Sequence, residues 1–248
     1  MTLLQSEIDA NGVQFAKNWA DEMSSNMAAL AGNSHLVDSY QRLTAIQALK
    51  AGIVAKKYSP GSAEFFYEAH NDTLTSHVSA SFGAWRLSLQ ALRSAIENSL
   101  AAIYYKDHPI ELEQWTNGDF RISFSDLFKY ALFHPRIGPH ENHLKTLADL
   151  KSEYATLSKA VHSSAKMFRM TDSAGLVLLW STDNARLSMW STRHRKTVQA
   201  ISQLMVTLHA EDLKGTAAAS LRSVLYFSIG SSKRAAIKKH LSVTIPAP

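Results

Sequence analysis

Two short runs of polar side chains combine residue types that could perform acid–base chemistry on a phosphate ester. Tyr154, Ser158 and His162 follow one another at intervals of four, so a helix would place them along one edge. Histidine has an ordinary pKa close to neutral pH, which suits it to moving a proton. Arg93 and Glu97 are also four residues apart, so Glu97 could orient the guanidinium towards a substrate phosphate.

The same side chains also have purely structural interpretations. His162 could make a hydrogen bond between two helices, and Tyr154 could lie in the core with only its hydroxyl at the surface. Arg93 and Glu97 could form an intrahelical ion pair, which is worth about 0.2–0.5 kcal/mol. If the helices that carry the two runs pack antiparallel, Arg93 could approach His162. The sequence leaves both interpretations open.

Two segments, read together, resemble the HEPN superfamily of bacterial helical domains. They are residues 92–105, LRSAIENSLAAIYY, and residues 154–163, YATLSKAVHS. The resemblance covers about residues 85–170. It implies a small up-and-down helical bundle that is often a homodimer. It also implies a function in bacterial defence or toxin–antitoxin systems, in which many members are metal-independent ribonucleases or RNA binders.

Active HEPN members carry an arginine, four to six further residues and then a histidine, which together stabilise phosphate charge and move a proton at the 2′-hydroxyl. Before His162, the positions for that arginine hold Ala155, Thr156 and Leu157, so the motif is not intact. The same spacing elsewhere, from Arg136 and from Arg234, occurs about as often as chance predicts. The candidate catalytic residues are therefore His162, Arg93, Glu97 and Ser158.

A second group of histidines could hold a transition metal. His134, His140 and His143 fall close together, with Glu141 between them. No helical His-x-x-x-His pair supports such a site, and the chain has neither a Walker loop nor a dinucleotide fingerprint. The absence of cysteine excludes disulfides, thiolate metal sites and cysteine nucleophiles. We therefore predict no metal site and no cofactor.

The charge of the chain is unevenly distributed. The formal net charge of +5 combines 16 basic and 18 acidic side chains in residues 1–180 with 10 basic and 3 acidic ones in residues 181–248. A basic region attracts polyanions, so RNA or DNA is the predicted partner. The alternatives are a solvated basic surface and an acidic partner protein. The predicted nucleic-acid contacts are Lys159, Arg193, Arg195, Lys196, Lys233, Arg234, Lys238 and Lys239.

The hydrophobic pattern predicts an all-α fold, a bundle of long antiparallel helices, and alternating β-branched runs are almost absent. We expect a single helical domain over 1–248, with N-terminal helices in 1–84, a HEPN-like core in 85–170 and basic C-terminal helices in 181–248. The predicted helices are 3–31 (irregular at Gly12), 35–57, one long or two nearly in-line helices over 62–105, 123–132, 141–170, 182–210, 216–229 and 231–241.

Composition also bears on location and assembly. The longest apolar stretch is far shorter than the roughly 20 residues that span a bilayer, and no signal peptide is evident, so we expect a cytoplasmic protein without membrane contact. The long helices carry broad apolar faces that could exceed the needs of one bundle, which favours a homodimer. These faces include Phe65, Phe66, Phe82 and Trp85.

Overall fold

The structure, a computed structural model, describes residues 2–162, 168 and 180–248, and these residues form helices without any strand. The all-α prediction is confirmed. The helices are α1 (Leu3–Leu30), α2 (Ser34–Leu49), α3 (Ala55–Lys57), α4 (Pro60–Ser81), α5 (Trp85–Asp107), α6 (Pro109–Thr116), α7 (Phe124–Phe133), α8 (Glu141–Leu144), α9 (Thr146–Val161), α10 (Asn184–Leu208), α11 (Ala219–Leu225) and α12 (Ser231–Leu241).

Helix α5 lies at the centre of the bundle and packs against α4, α7, α9 and α10. Its apolar residues recur at helical spacing, and this stripe is buried at Leu89, Leu92, Ile96, Leu100 and Ile103. One continuous apolar core joins side chains from the end of α1 to the C-terminal segment that follows α12.

Helices α4 and α5 form an antiparallel hairpin. The prediction that residues 62–105 form one helix, or two nearly in line, is therefore wrong in its geometry. Phe65 stacks on Tyr105, and Asn98 donates a hydrogen bond to Asp72, so the two helices run in opposite directions along their lengths. Gly83 makes the reversal possible because its φ of +83° belongs to the left-handed region.

Local sequence explains where several helices begin. Ser59 precedes the proline at the first position of α4, and its hydroxyl accepts a hydrogen bond from the Ser62 amide. The carboxylate of Asp183 accepts from two amides in the first turn of α10. Ser123 caps α7 in the same manner. These polar side chains satisfy amides that the helix itself leaves unpaired.

Four predicted helices differ in detail from the structure. The predicted helix 216–229 is α-helical only over α11, Ala219–Leu225, which follows a 3₁₀ turn at Thr216–Ala218. Helix α1 continues through Gly12 without a break. The predicted helix 35–57 contains a π-helical segment, Lys50–Val54, between α2 and α3. The predicted helix 141–170 is divided at Lys145, whose φ of 54° separates α8 from α9, and α9 ends at Val161. Residues 163–167, 169 and 170 of that prediction lie outside the described residues.

The aromatic residues that suggested excess apolar surface are largely used inside the bundle. Phe66 and Trp85 are buried, and the Trp85 indole donates a hydrogen bond to the Ser181 hydroxyl. Phe65 and Phe82 are half-buried against other aromatic rings. This part of the argument for a homodimer therefore does not hold. In the part of the chain that the structure describes, no helix has the length and apolarity to cross a bilayer.

The corner at Gly83 predicts a specific sensitivity. A Cβ on Gly83 would collide with the Ser181 carbonyl, and the left-handed backbone would be strained as well. We expect Gly83→Ala to lower the free energy of unfolding by at least ~2 kcal/mol in urea denaturation. Gly215→Ala is the control because a Cβ at that position meets nothing within 4 Å. Equal stability of the two variants would contradict this account of the corner.

Candidate functional site

The structure brings Arg93, Glu97, Tyr154 and Ser158 together between α5 and α9. Arg93 Nη2 donates to the Tyr154 hydroxyl over 2.5 Å and lies 3.0 Å from Glu97 Oε1. Arg93 Nε donates to Ser158 Oγ over 3.2 Å. The Tyr154 hydroxyl in turn donates to Glu97 Oε1 over 2.8 Å. Every nitrogen of the guanidinium that can donate has a partner, because Nη1 reaches the second oxygen of Glu97.

The Tyr154 ring holds this cluster in place from the side. The Tyr154 ring stacks on Phe124 with 3.5 Å between ring centroids. The guanidinium of Arg93 lies over the Tyr154 ring, 4.7 Å from the centroid of that ring. Burial and the hydrogen bond to Glu97 raise the pKa of the Tyr154 hydroxyl above its ordinary value. The hydroxyl is therefore a hydrogen-bonding group at neutral pH rather than a nucleophile.

His162 lies one helical turn beyond this cluster. Helices α5 and α9 are antiparallel, since Arg86 donates to the Val161 carbonyl while Arg93 reaches Ser158. His162 follows the last residue of α9 and is exposed. The side chain of Arg93 is directed to Tyr154 and Ser158 rather than to His162, so the predicted catalytic residues form one cluster of three with His162 at its edge.

An open cleft adjoins Glu97. It has a volume of about 460 Å³ and is lined by Phe65, Asn98, Trp115 and Arg121 as well. The Trp115 ring is 43% exposed and meets Phe65 edge-on, so a planar group entering the cleft could stack against it.

Several of the basic residues predicted to bind nucleic acid are paired within the protein. Arg193 Nη1 lies 3.0 Å from Glu153 Oε1, and Lys196 lies 3.5 Å from the same oxygen. Lys233 bonds Asp149 over 2.6 Å and the Leu144 carbonyl over 2.7 Å. These contacts connect α9 to α10 and to α12. They leave less positive charge for a ligand than the sequence alone suggests.

The remaining predicted contacts lie on different parts of the surface. Arg234 stacks over Tyr226 at 3.9 Å and donates to backbone carbonyls, so it holds the turn before α12. Arg195 is exposed on α10, and its positive charge contributes to lowering the pKa of Arg42. Lys159 is exposed on α9. The predicted basic face is therefore divided among several surfaces.

One of these surfaces consists of bases from α8, α12 and the turn before α8. We call it the α8–α12 patch and define it as His140, His143, Lys238, Lys239 and His240. The rings of His143 and His240 stack with 4.1 Å between centroids. Burial first, and then the positive charge of His143, Lys239 and His140, lower the pKa of His240.

Two acidic residues on α8 and α9, Glu141 and Asp149, accept hydrogen bonds from groups outside this patch. Glu141 accepts hydrogen bonds from the Leu147 and Ala148 amides and so caps α9. Asp149 is paired with Lys233. Glu141 keeps its negative charge, but neither Lys238 nor Lys239 forms an ion pair among the described residues, which distinguishes them from Arg193 and Lys196 on α10.

The histidines considered as metal ligands serve other purposes. His134 is directed away from His140 and His143: its Nε2 lies 3.2 Å from Asp107, and its Nδ1 accepts from the Arg136 amide. Asp107 also accepts from the Tyr130 hydroxyl. Across residues 2–162 and 180–248, no three histidine, aspartate or glutamate side chains are grouped to hold a metal ion.

The sequence interpretation missed a buried polar centre between α2, α4 and α10. Arg42 Nε donates to His194 Nδ1 over 3.3 Å, and His77 Nδ1 meets the Ser39 hydroxyl at 2.7 Å. The indole of Trp190 donates to Ser76 nearby. Burial lowers the pKa of Arg42 to about 10, because Asp38 compensates only in part. No spacing rule signals this centre, because its members come from three distant segments.

Comparison of the chain with protein-family models, with curated proteins and with solved structures finds no match. The HEPN resemblance therefore rests on the two segments that suggested it, residues 92–105 and 154–163. Any activity that the resemblance implies rests on those two segments alone.

The buried histidines predict acid sensitivity. Burial first, and the positive charge of Arg42 second, lower the pKa of His194 and of His77. Below about pH 6.5 these two imidazoles are protonated in the unfolded chain but remain neutral in the folded protein. The free energy of unfolding therefore decreases as the pH falls. We expect His194→Gln to reduce the slope of unfolding free energy between pH 6.5 and 5 by up to ~1.4 kcal/mol per pH unit.

Denaturant unfolding at several pH values measures this slope. His162→Gln is the matched control, since that imidazole is exposed. A slope in His194→Gln that equals the slope of the parent protein would show that His194 takes up its proton in the folded state too.

Proposed function

We propose that the protein is a nucleic-acid-binding helical protein that contacts phosphates through the α8–α12 patch. The observation that carries this proposal is the exposure of Lys238 and Lys239, in no ion pair among the described residues, next in sequence to His240, whose ring stacks on His143 of α8. Such a surface attracts polyanions and gains affinity when phosphate charge is neutralised. The HEPN resemblance adds to this proposal a role in a bacterial defence or toxin–antitoxin system, and we propose a cytoplasmic location.

The distribution of paired bases supports this choice of surface. Arg193, Lys196 and Lys233 each have an acidic partner, so a phosphate at these positions would have to displace an existing ion pair. Lys238 and Lys239 are exposed and belong to no ion pair among the described residues. They can meet a phosphate without any rearrangement of the protein.

A metal-independent ribonuclease activity, which the HEPN resemblance implies, would use His162 to move the proton of the 2′-hydroxyl. Glu97 adjoins the cleft beside Trp115, in which a base could stack. Arg93 would have to release Tyr154 or Ser158 before its guanidinium could reach a phosphate. Catalysis therefore requires a rearrangement that binding at the α8–α12 patch does not.

The satisfied state of Arg93 favours a second candidate function, a non-catalytic interaction subunit of a defence complex. In that case the cluster between α5 and α9 fixes the two helices, and the basic surface docks an acidic partner protein. The two candidates differ in a simple respect, because only the first predicts affinity for RNA or DNA across unrelated sequences.

Binding to labelled single-stranded RNA and DNA tests the leading proposal. We expect the double variant Lys238→Gln/Lys239→Gln to bind more weakly to all sequences. Its log–log salt dependence should be flatter by about 0.7 for each phosphate that the variant no longer neutralises. Fluorescence anisotropy at several salt concentrations measures both quantities.

The matched control removes the same charge elsewhere, in Lys56→Gln/Lys129→Gln, because both lysines are exposed. It should keep the affinity and the salt slope of the parent protein. Equal losses of affinity in the two double variants would mean that only net charge matters. Unchanged binding in Lys238→Gln/Lys239→Gln would move the interaction-subunit candidate ahead.

RNA cleavage in the presence of EDTA tests the catalytic implication. If His162 moves the proton, His162→Ala should lose at least ~10²-fold in cleavage rate while still binding RNA. His143→Ala serves as the comparison because its ring belongs to the α8–α12 patch and should affect binding instead. Absence of cleavage by the parent protein would favour the interaction subunit, and cleavage that survives in His162→Ala would remove the role assigned to this residue.

A further inference from the structure

Helix α1 is 28 residues long, yet only its last turns contact the bundle. Leu30 is buried, and the Asn26 amide donates a hydrogen bond to the Phe82 carbonyl. Trp19 packs on Trp180 with 4.5 Å between centroids. Residues 2–22 are exposed throughout, so about half of the helix extends away from the rest of the protein.

The exposed part of α1 carries an apolar stripe. Leu4, Ile8, Phe15 and Trp19 are 64%, 54%, 61% and 40% exposed. Their spacing of four, seven and four residues places them within about 60° of one another around the helix axis. A helix of this kind gains little stability in water from its own backbone and normally buries such a face.

We infer that this stripe is an interface for a second copy of the chain, in which two α1 helices pack antiparallel. The spacing of the stripe points to this partner. The midpoint in sequence between Leu4 and Trp19 falls at the peptide that joins residues 11 and 12. The midpoint between Ile8 and Phe15 falls at the same peptide. A two-fold axis at that peptide therefore places Leu4 opposite Trp19 of the second copy and Ile8 opposite its Phe15.

Gly12 fits the crossing point of such a pair. A Cβ at Gly12 would meet nothing within 4 Å, so that side of the helix is open to a partner. Without a side chain at this position, the two backbones can approach closely. The helix remains regular through Gly12, which keeps the two halves of the stripe aligned.

The area and the charges of α1 are compatible with this partner. The four side chains of the stripe leave on the order of 500 Å² exposed, more than half of what each partner buries in a standard-size interface. The acidic Asp9 would lie opposite Gln14 of the second copy, and Glu22 lies beyond the overlap of the two helices. Carboxylates therefore do not meet across the pair. This inference does not depend on nucleic-acid binding.

Light scattering on the full chain at micromolar concentration tests the interface. The parent protein should have twice the mass of the 27.4 kDa chain. Phe15→Glu and Ile8→Glu should be monomers with unchanged unfolding of the bundle, because both side chains lie outside its core. The matched controls are Phe133→Glu and Ile110→Glu, at side chains that are 75% and 69% exposed, and both should remain dimers.

A monomeric parent protein would overturn the inference, and so would a dimer that survives both Phe15→Glu and Ile8→Glu. Loss of the dimer in the control variants as well would show that the interface is not α1. A third possible result is a larger species than a dimer, which would also contradict a closed two-fold pair.

Disulfide trapping tests the antiparallel register, since the chain has no cysteine of its own. Gly12→Cys should cross-link with its own copy, and a mixture of Ile8→Cys with Phe15→Cys should give the mixed cross-link. Phe15→Cys alone should not cross-link, because antiparallel helices separate the two copies of residue 15 by about 10 Å. Efficient self-cross-linking of Phe15→Cys would instead indicate a parallel pair.

Discussion

The burial of α5 is the constraint on which the rest of the structure depends. A helix surrounded by neighbours must find a hydrogen-bonding partner for each polar side chain that it carries into the interior. Arg86 bonds the Val161 carbonyl, Arg93 bonds Tyr154 and Ser158, and Asn98 bonds Asp72. These contacts fix the position of α9 and α4 along α5.

The same constraint separates structural from available charges. Arginines and lysines between helices are paired with carboxylates or carbonyls, as Arg193 is with Glu153 and Lys233 with Asp149. Lys238 and Lys239 on the exposed face of α12 form no such pair among the described residues. The positive charge available to a ligand is therefore smaller than the total charge of residues 181–248 suggests, because Arg193, Lys196 and Lys233 are paired. In the same way, Leu4, Ile8 and Phe15 on α1 differ from apolar residues of the core because each is more than half exposed.

The sequence predicted the helical class, most helix positions and the pair of Arg93 with Glu97, because these depend on spacing within one helix. It expected Arg93 to approach His162, whereas the guanidinium contacts Tyr154 and Ser158 one turn earlier on α9. It did not predict the reversal at Gly83, because a single glycine in a long helical pattern does not reveal the close approach of Ser181. The sequence also did not predict the buried hydrogen bond between Arg42 and His194, because the two residues are 152 positions apart in the chain. The internal pairing of the basic residues could be found only from their three-dimensional neighbours.

A double-mutant cycle between Arg93 and Tyr154 tests most directly whether the buried polar contacts of α5 determine the architecture. Unfolding free energies are measured for Arg93→Met, for Tyr154→Phe and for the double variant. The account predicts a coupling energy of about 1–3 kcal/mol, because each substitution alone removes the charge-assisted hydrogen bond between the Arg93 guanidinium and the Tyr154 hydroxyl. Additive losses of stability, with a coupling energy close to zero, would contradict it and would leave α9 held to α5 by apolar packing alone.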